Sequence, residues 1–301
     1  MLAIWGQIEL TAMAQEQAAT VLTEPTHRYL EVEGLKLHYL DWGGDPGKRT
    51  FVLLHGGAAH AHWWDGVAPM LTPYGRVLAL DFRGHGRSQW ADSKNYGPPS
   101  YLKDVRGLID SLGTRVVLVG HSMGGVVAQW VAVTHPELLD ALVIVDAPHG
   151  GPPLFRRLMW RWRQRSRGGV RPELRSAGDI IRKFRLQPPE TNLTRLEIER
   201  LALLGAEQLP SGAWAFRFDP ETRAWRKHGN RMTRPKLRKI TMPTILLRGD
   251  QSGLVSGPHV RRMHRKIRGS VLKEIPRAFH HVPLDNPGDT AAAIIEFVEK
   301  L

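Results

Sequence analysis

At 301 residues and 42% apolar content, the chain is long enough for one large α/β domain with an insertion, or for two small domains. It has no cysteine, which excludes disulfides, thiolate chemistry and Cys-based metal sites. The net charge of +13 is uneven, because residues 149–240 hold 18 Arg and 4 Lys against 8 Asp and Glu. Such a segment is either a solvated face or a basic lid attracting an anionic substrate. No nucleic-acid-binding motif accompanies the arginines, so no nucleic-acid partner is expected.

The first residues, MLAIWGQIELTAMAQEQAATVLTE, lack a basic leader, and Gln7 and Glu9 interrupt their apolar run. Residues 1–24 are therefore expected to form a flexible extension and not a signal peptide. No window offers the roughly eighteen apolar residues of a membrane span, and a cytoplasmic location is the expectation. From His27 to Trp42, apolar and polar residues alternate on either side of Glu33-Gly34, the pattern of an antiparallel hairpin. TFVLLHGG, GRVLALDFRG, TRVVLVGHS, LDALVIVDAP and MPTILLRGD are near-continuous apolar runs, as in strands buried on both faces; GSVLKEIP adds a weaker last strand.

Between these runs lie helical patterns. Tyr101, Leu102, Val105, Leu108, Ile109 and Leu112 fall on one stripe that Gly113 ends; a second helix follows over 123–134, and DTAAAIIEFVEKL closes the chain. Strands alternating with helices predict an α/β fold, a mostly parallel sheet covered by helices on both faces, with the initial hairpin as antiparallel edge. The alternation stops at Pro148 and resumes near Thr241. Residues 25–148 and 241–301 are thus the expected core, and 149–240 an inserted, mainly helical cap containing PPLFRRLMWRWRQRS and LTRLEIERLALLGAE.

One short stretch points to chemistry. In RVVLVGHSMGGVVAQW, Gly120, Gly124 and Gly125 surround Ser122 where a strand gives way to a helix. A nucleophilic serine must project from a tight strand-to-helix turn, and small residues two before and two after it relieve the crowding, giving G-x-S-x-G. Gly125 lets the next helix lie close to the sheet, and that helix directs its positive end at the site.

With LLHGG, DFRGHGRS, GHSMGG and HHVPLDNP in this order, the chain resembles the α/β-hydrolase family from about His27 to the C-terminus. The resemblance implies a cofactor-independent serine hydrolase with Ser122 as nucleophile and a histidine base seven residues before the proline of HHVPLDNP. That base is His280, with His281 as the alternative; Phe279 replaces the glycine usual before it. The acid is most often placed three residues past the glycine of PTILLRG, which here is Ser252, not a carboxylate. The candidates left are Asp146, ending LVIVDAP, and Asp250. Asp146 is favoured because a carboxylate ending an apolar run needs a partner to offset burial.

The resemblance further implies an oxyanion hole from the N–H groups of Gly57 and Met123, with His55 holding the loop. Trp63 and Trp64 are candidate pocket-lining residues, and Asp81, Arg83 and His85 loop-fixing groups. Serine at the elbow sets the chain apart from the family's dehalogenases and epoxide hydrolases, which use aspartate there. No H-E-x-x-H or His/carboxylate cluster supports a metal, and no cofactor is expected. A carboxylic ester, small or medium and with a weak preference for an anionic group, is the expected substrate. Lactone, amide or C–C bond hydrolysis, lyase or perhydrolase chemistry, and a small-molecule receptor with a vestigial triad remain alternatives.

Overall fold

A computed structural model describes residues 24–149, 171–224 and 236–301. The expected extension over 1–24 lies, but for Glu24, outside the described residues, as does the helix expected over 152–166.

Eight strands form one sheet: β1 (Thr26–Val32), β2 (Leu35–Asp41), β3 (Arg49–Leu54), β4 (Gly75–Leu80), β5 (Val116–His121), β6 (Leu139–Val145), β9 (Thr244–Gly249) and β10 (Val271–Ile275). Their order is β1-β2-β4-β3-β5-β6-β9-β10. β1 and β2 pair antiparallel, from Val32 opposite Leu35 to Thr26 opposite Asp41, and β2 lies antiparallel to β4; all other neighbours are parallel. β7 (Ala206–Gln208) and β8 (Trp214–Phe216) form a separate hairpin in the insertion between β6 and β9.

Two-residue periodicity of the strands sorts side chains onto two cores. Val52 and Leu54 of β3 join Leu118 of β5 and Ile144 of β6 on one face. There they meet α2 (Pro98–Leu112), α3 (Met123–Thr134) and α6 (Gly257–His264) through Tyr101, Val105, Val127, Val131, Val260 and Met263. Phe51, Leu53, Val119 and Val143 face the other way, toward α1 (Ala68–Leu71), α7 (Val282–Asp285) and α8 (Pro287–Val298). Burial on both faces is what the unbroken apolar runs encode.

Tyr101, Val105, Leu108 and Ile109 of the α2 stripe are buried and Leu102 and Leu112 half-buried beside them, and Gly113 closes the helix at φ 63°, a left-handed cap that favours glycine. No sequence periodicity announces α6. Its short, basic sequence offers only Val260 and Met263 to the core, too few apolar positions to register as periodicity.

In the insertion, α4 (Ala177–Lys183) and α5 (Arg195–Leu204) are described. α5 begins at a capping box, where Thr194 Oγ1 accepts from Glu197 N and Glu197 Oε2 accepts from Thr194 N at 2.7 Å. The helix stops at Leu204, and Ala206–Glu207, expected to extend it, belong to β7, so the described insertion is not purely helical. Its inner side packs Leu186 and Leu201 against Ala59 and Trp63.

Candidate active site

All the parallel strands end on one edge, and the sequence-predicted site assembles there. β5 ends at His121, Ser122 makes the turn at φ 51°, ψ −112°, and α3 starts at Met123. A side chain in this left-handed region is strained, and the turn is held by hydrogen bonds on both sides. Ser122 N donates to Val145 O at 3.0 Å and Gly124 N to His55 O at 3.1 Å.

The glycines are there because nothing larger fits. A Cβ on Gly120 would stand 2.5 Å from Gly124 O, one on Gly124 2.5 Å from Leu54 O, and one on Gly125 2.4 Å from the Ala147 side chain. Only with those contacts open does α3 approach the sheet closely enough to lift Ser122 from it.

Ser122 Oγ lies 3.0 Å from His280 Nε2, and His280 Nδ1 lies 2.7 Å from Asp146 Oδ2. The carboxylate only accepts, so Nδ1 carries the proton and Nε2 faces the serine with its lone pair. Asp146, at the end of β6, has φ 41° and is 1% exposed. Gly249 N donates to its Oδ1 at 3.3 Å, and Ser252 Oγ donates to its Oδ2 at 2.7 Å. Burial disfavours charge on both partners, pushing the Asp146 carboxyl up and the His280 imidazole down; donation from Ser252 and Gly249 pulls Asp146 back toward the carboxylate.

The alternatives sit elsewhere. Asp250 is exposed, and its Oδ1 accepts from Ala278 N at 3.1 Å, holding the backbone two residues before His280. His281 donates through Nε2 to Pro188 O of the insertion at 2.7 Å. Phe279, in place of the family's glycine, has no positive φ, and the close approach of this loop to β9 falls on Gly249, where a Cβ would stand 2.2 Å from Phe279 O.

Gly57 and Met123 adjoin, with Met123 Sδ 3.7 Å from where a Gly57 Cβ would be. Among the described residues neither N–H is taken by a backbone carbonyl. Gly57 is exposed and Ser122 half-buried. His55 fixes this loop. Its Nε2 accepts from Phe82 N at 3.2 Å, so its Nδ1 must carry the proton donated to Gly56 O at 2.6 Å. Burial holds that imidazole down, at about 3, and therefore neutral.

Asp81 accepts from Ala61 N, His38 Nδ1 and Arg87 N at 2.7, 2.7 and 2.9 Å, and Arg83 pairs with Asp104 in the interior. His85 Nδ1 lies 3.1 Å from Arg83 O. All three side chains tie loops together and none reaches Ser122.

The two tryptophans part company. Trp63 packs against Leu186 and Leu201, stacks on His121 at 6.1 Å and meets His281 edge-on. Trp64 is fully buried among Leu40, Phe51 and Leu71, in the core beneath, and lines no pocket. Both lie in a tight turn, Ala61–Trp64, of three residues per revolution, which sends neighbours in different directions.

Two residues of the site carried no role in the sequence. His121 donates through Nε2 to His280 O at 2.8 Å, and Ser252 holds Asp146. Among the described residues, no group of three or more His, Asp or Glu is arranged to hold a metal, and no helix is long and apolar enough to cross a membrane.

Comparison with known proteins places this geometry in context. A sequence model described as the alpha/beta hydrolase family matches residues 51–293. Mouse epoxide hydrolase 4 is 34% identical over 45% of this chain, and the chain spans only about two fifths of the length of the mouse and human proteins of that name. Esterase Rv0045c of Mycobacterium tuberculosis is 27% identical over 97% of this chain and 95% of its own. Among solved structures, E-2-(acetamidomethylene)succinate hydrolase superposes with a TM-score of 0.77 at 22% identity, over 91% of this chain and 99% of that one, a likeness of fold.

Proposed function

The chain belongs to the alpha/beta hydrolase family, and from that premise we propose that it is a cofactor-independent serine hydrolase cleaving a carboxylic ester or related acyl substrate. The observation that carries this is the unbroken relay from Ser122 Oγ through His280, at 3.0 and 2.7 Å, to Asp146.

Ser122 attacks the carbonyl carbon while His280 Nε2 takes its proton. The oxyanion is held by the N–H groups of Gly57 and Met123, at the positive end of α3. As the tetrahedral adduct collapses, the imidazolium returns the proton to the leaving alkoxide. Water then enters, gives a proton to the same nitrogen and attacks the acyl-enzyme; Ser122 leaves with that proton, and the carboxylic acid is released. Asp146 keeps His280 in the Nδ1–H form and stabilises the transient imidazolium. The insertion between β6 and β9 serves as the cap that selects the substrate, its described part placing Leu186 and Leu201 against Trp63.

An epoxide is not proposed as substrate, because the elbow carries serine where the family's epoxide hydrolases place aspartate. A receptor with a vestigial triad is less favoured, because Asp146 stands 2.7 Å from His280 although position 252 carries no carboxylate. Among the described arginines of the insertion, Arg171, Arg175, Arg182, Arg195, Arg200 and Arg217 pair with a carboxylate, and Arg185 donates to Phe184 O.

Turnover of a panel of p-nitrophenyl esters by the purified protein tests the proposal. Ser122→Ala and His280→Ala should each lower kcat by on the order of 10³-fold or more while keeping the fold. Wild-type turnover by either variant would overturn it.

A further inference from the structure

The position at which the family most often carries its acid is occupied here by Ser252, and that serine is built into the site. It is 5% exposed and sits in the turn after β9. Its N donates to Gly249 O at 3.0 Å, and its Oγ accepts from Val255 N at 3.2 Å. Arg248 clamps the same turn, donating to Val255 O at 2.7 Å and to Ser252 O at 3.2 Å. Because the Oγ lone pair is engaged by Val255 N–H, its own proton is directed at Asp146 Oδ2, 2.7 Å away. That is the oxygen that faces His280 Nδ1.

We propose that Ser252 is a positioning residue of the triad: its hydroxyl fixes the Asp146 carboxylate against His280. The inference rests on the reading of Asp146 as the triad acid.

A buried carboxylate with one orienting donor removed is freer to rotate and to take up a proton, and either event deprives His280 of its partner. The groups facing Asp146 are His280 and His281 from the loop after β10, and Arg248, Gly249 N and Ser252 from the end of β9. The Arg248 guanidinium is engaged with backbone carbonyls and Glu274, leaving Ser252 as the side-chain donor closest to the carboxylate after His280. The push of burial on Asp146 toward protonation gives the hydroxyl something to oppose.

The test is steady-state kinetics of ester hydrolysis across pH 4.5–9 (a range set by the reference carboxylate and imidazole pKa values) for Ser252→Ala and for the isosteric pair Ser252→Thr and Ser252→Val, with Asp146→Asn alongside. Ser252→Ala should lower kcat roughly 10- to 100-fold with KM changed less than about threefold, and shift the acid limb of kcat/KM to higher pH. Thr, which keeps the hydroxyl, should restore the limb, and Val should not. If the alanine variant fails to fold, the Thr/Val contrast reads the hydroxyl alone. Wild-type kcat and limb in Ser252→Ala, or the same limb in Thr and Val, would overturn the proposal. Should Asp146→Asn collapse turnover in that case, only Ser252 loses its role. Wild-type turnover by Asp146→Asn would instead remove the triad reading itself.

Discussion

His121 Nε2 donates to the main-chain oxygen of His280 at 2.8 Å, so the residue preceding Ser122 carries the backbone of the proposed base. The two rings lie 4.9 Å apart, and His121 is fully buried with its charge disfavoured by desolvation and by His280 and His281. It therefore stays neutral, a fixed N–H donor on the rigid end of β5. His121→Phe should keep the packing against Trp63 and lose the brace. The expected result is a drop in kcat of roughly 10-fold with little change in KM, read from saturation kinetics.

Asp146 and Asp250 follow the ends of the neighbouring strands β6 and β9, over a hundred residues apart in sequence. Asp146→Asn should lower kcat by on the order of 10³- to 10⁴-fold, because the amide no longer enforces the Nδ1–H tautomer. Asp250→Asn should leave kcat within a few-fold, whereas Asp250→Ala, which removes the acceptor for Ala278 N, should weaken the fold by about 1 kcal/mol, as urea unfolding would report.

Steric need and conformational habit can be told apart among the glycines. Gly124→Ala places a Cβ against the Leu54 carbonyl and should destabilise by about 1–3 kcal/mol or more, with loss of activity. Gly253 has open space around it and no positive φ, so Gly253→Ala should be neutral or stabilise by up to about 1 kcal/mol. Urea denaturation of both variants checks the contrast.

Acid stability follows from the buried imidazoles. Burial lowers His55 to about 3 and His60 and His85 to about 4, against 6.5 when free. The unfolded chain therefore binds protons that the folded chain refuses between about pH 6.5 and 4, and stability falls as pH falls through that window. Chemical denaturation at pH 7.5 and pH 5 should show lower unfolding free energy at pH 5, with uptake of at least about two protons on unfolding.

Much of this was legible in the chain because it is written locally. The β1–β2 hairpin is set by alternation around Glu33-Gly34, the central strands by unbroken apolar runs, and the Ser122 turn by glycines whose spacing states their steric purpose. The choice between Asp146 and Asp250 was not local. It depends on how far β6 and β9 extend past one another at the sheet edge, and on a loop that reaches back from β10. The parting of Trp63 and Trp64 depends on a tight turn that no pattern announces, and α6 on two apolar residues in a basic run. The bond from Ser252 was hidden behind a departure from the family pattern: a serine in place of an acid reads as a loss until the Asp146 carboxylate is seen beside it.

The central claim is that one hydroxyl, raised at the end of β5, becomes covalently bonded during turnover. Incubating the protein with a fluorophosphonate and mapping the adduct by peptide mass spectrometry tests this most directly. Stoichiometric labelling of Ser122, strongly slowed in His280→Ala and absent in folded Ser122→Ala, is the predicted result. An unlabelled protein, or a label that maps to another residue and persists in Ser122→Ala, would contradict it.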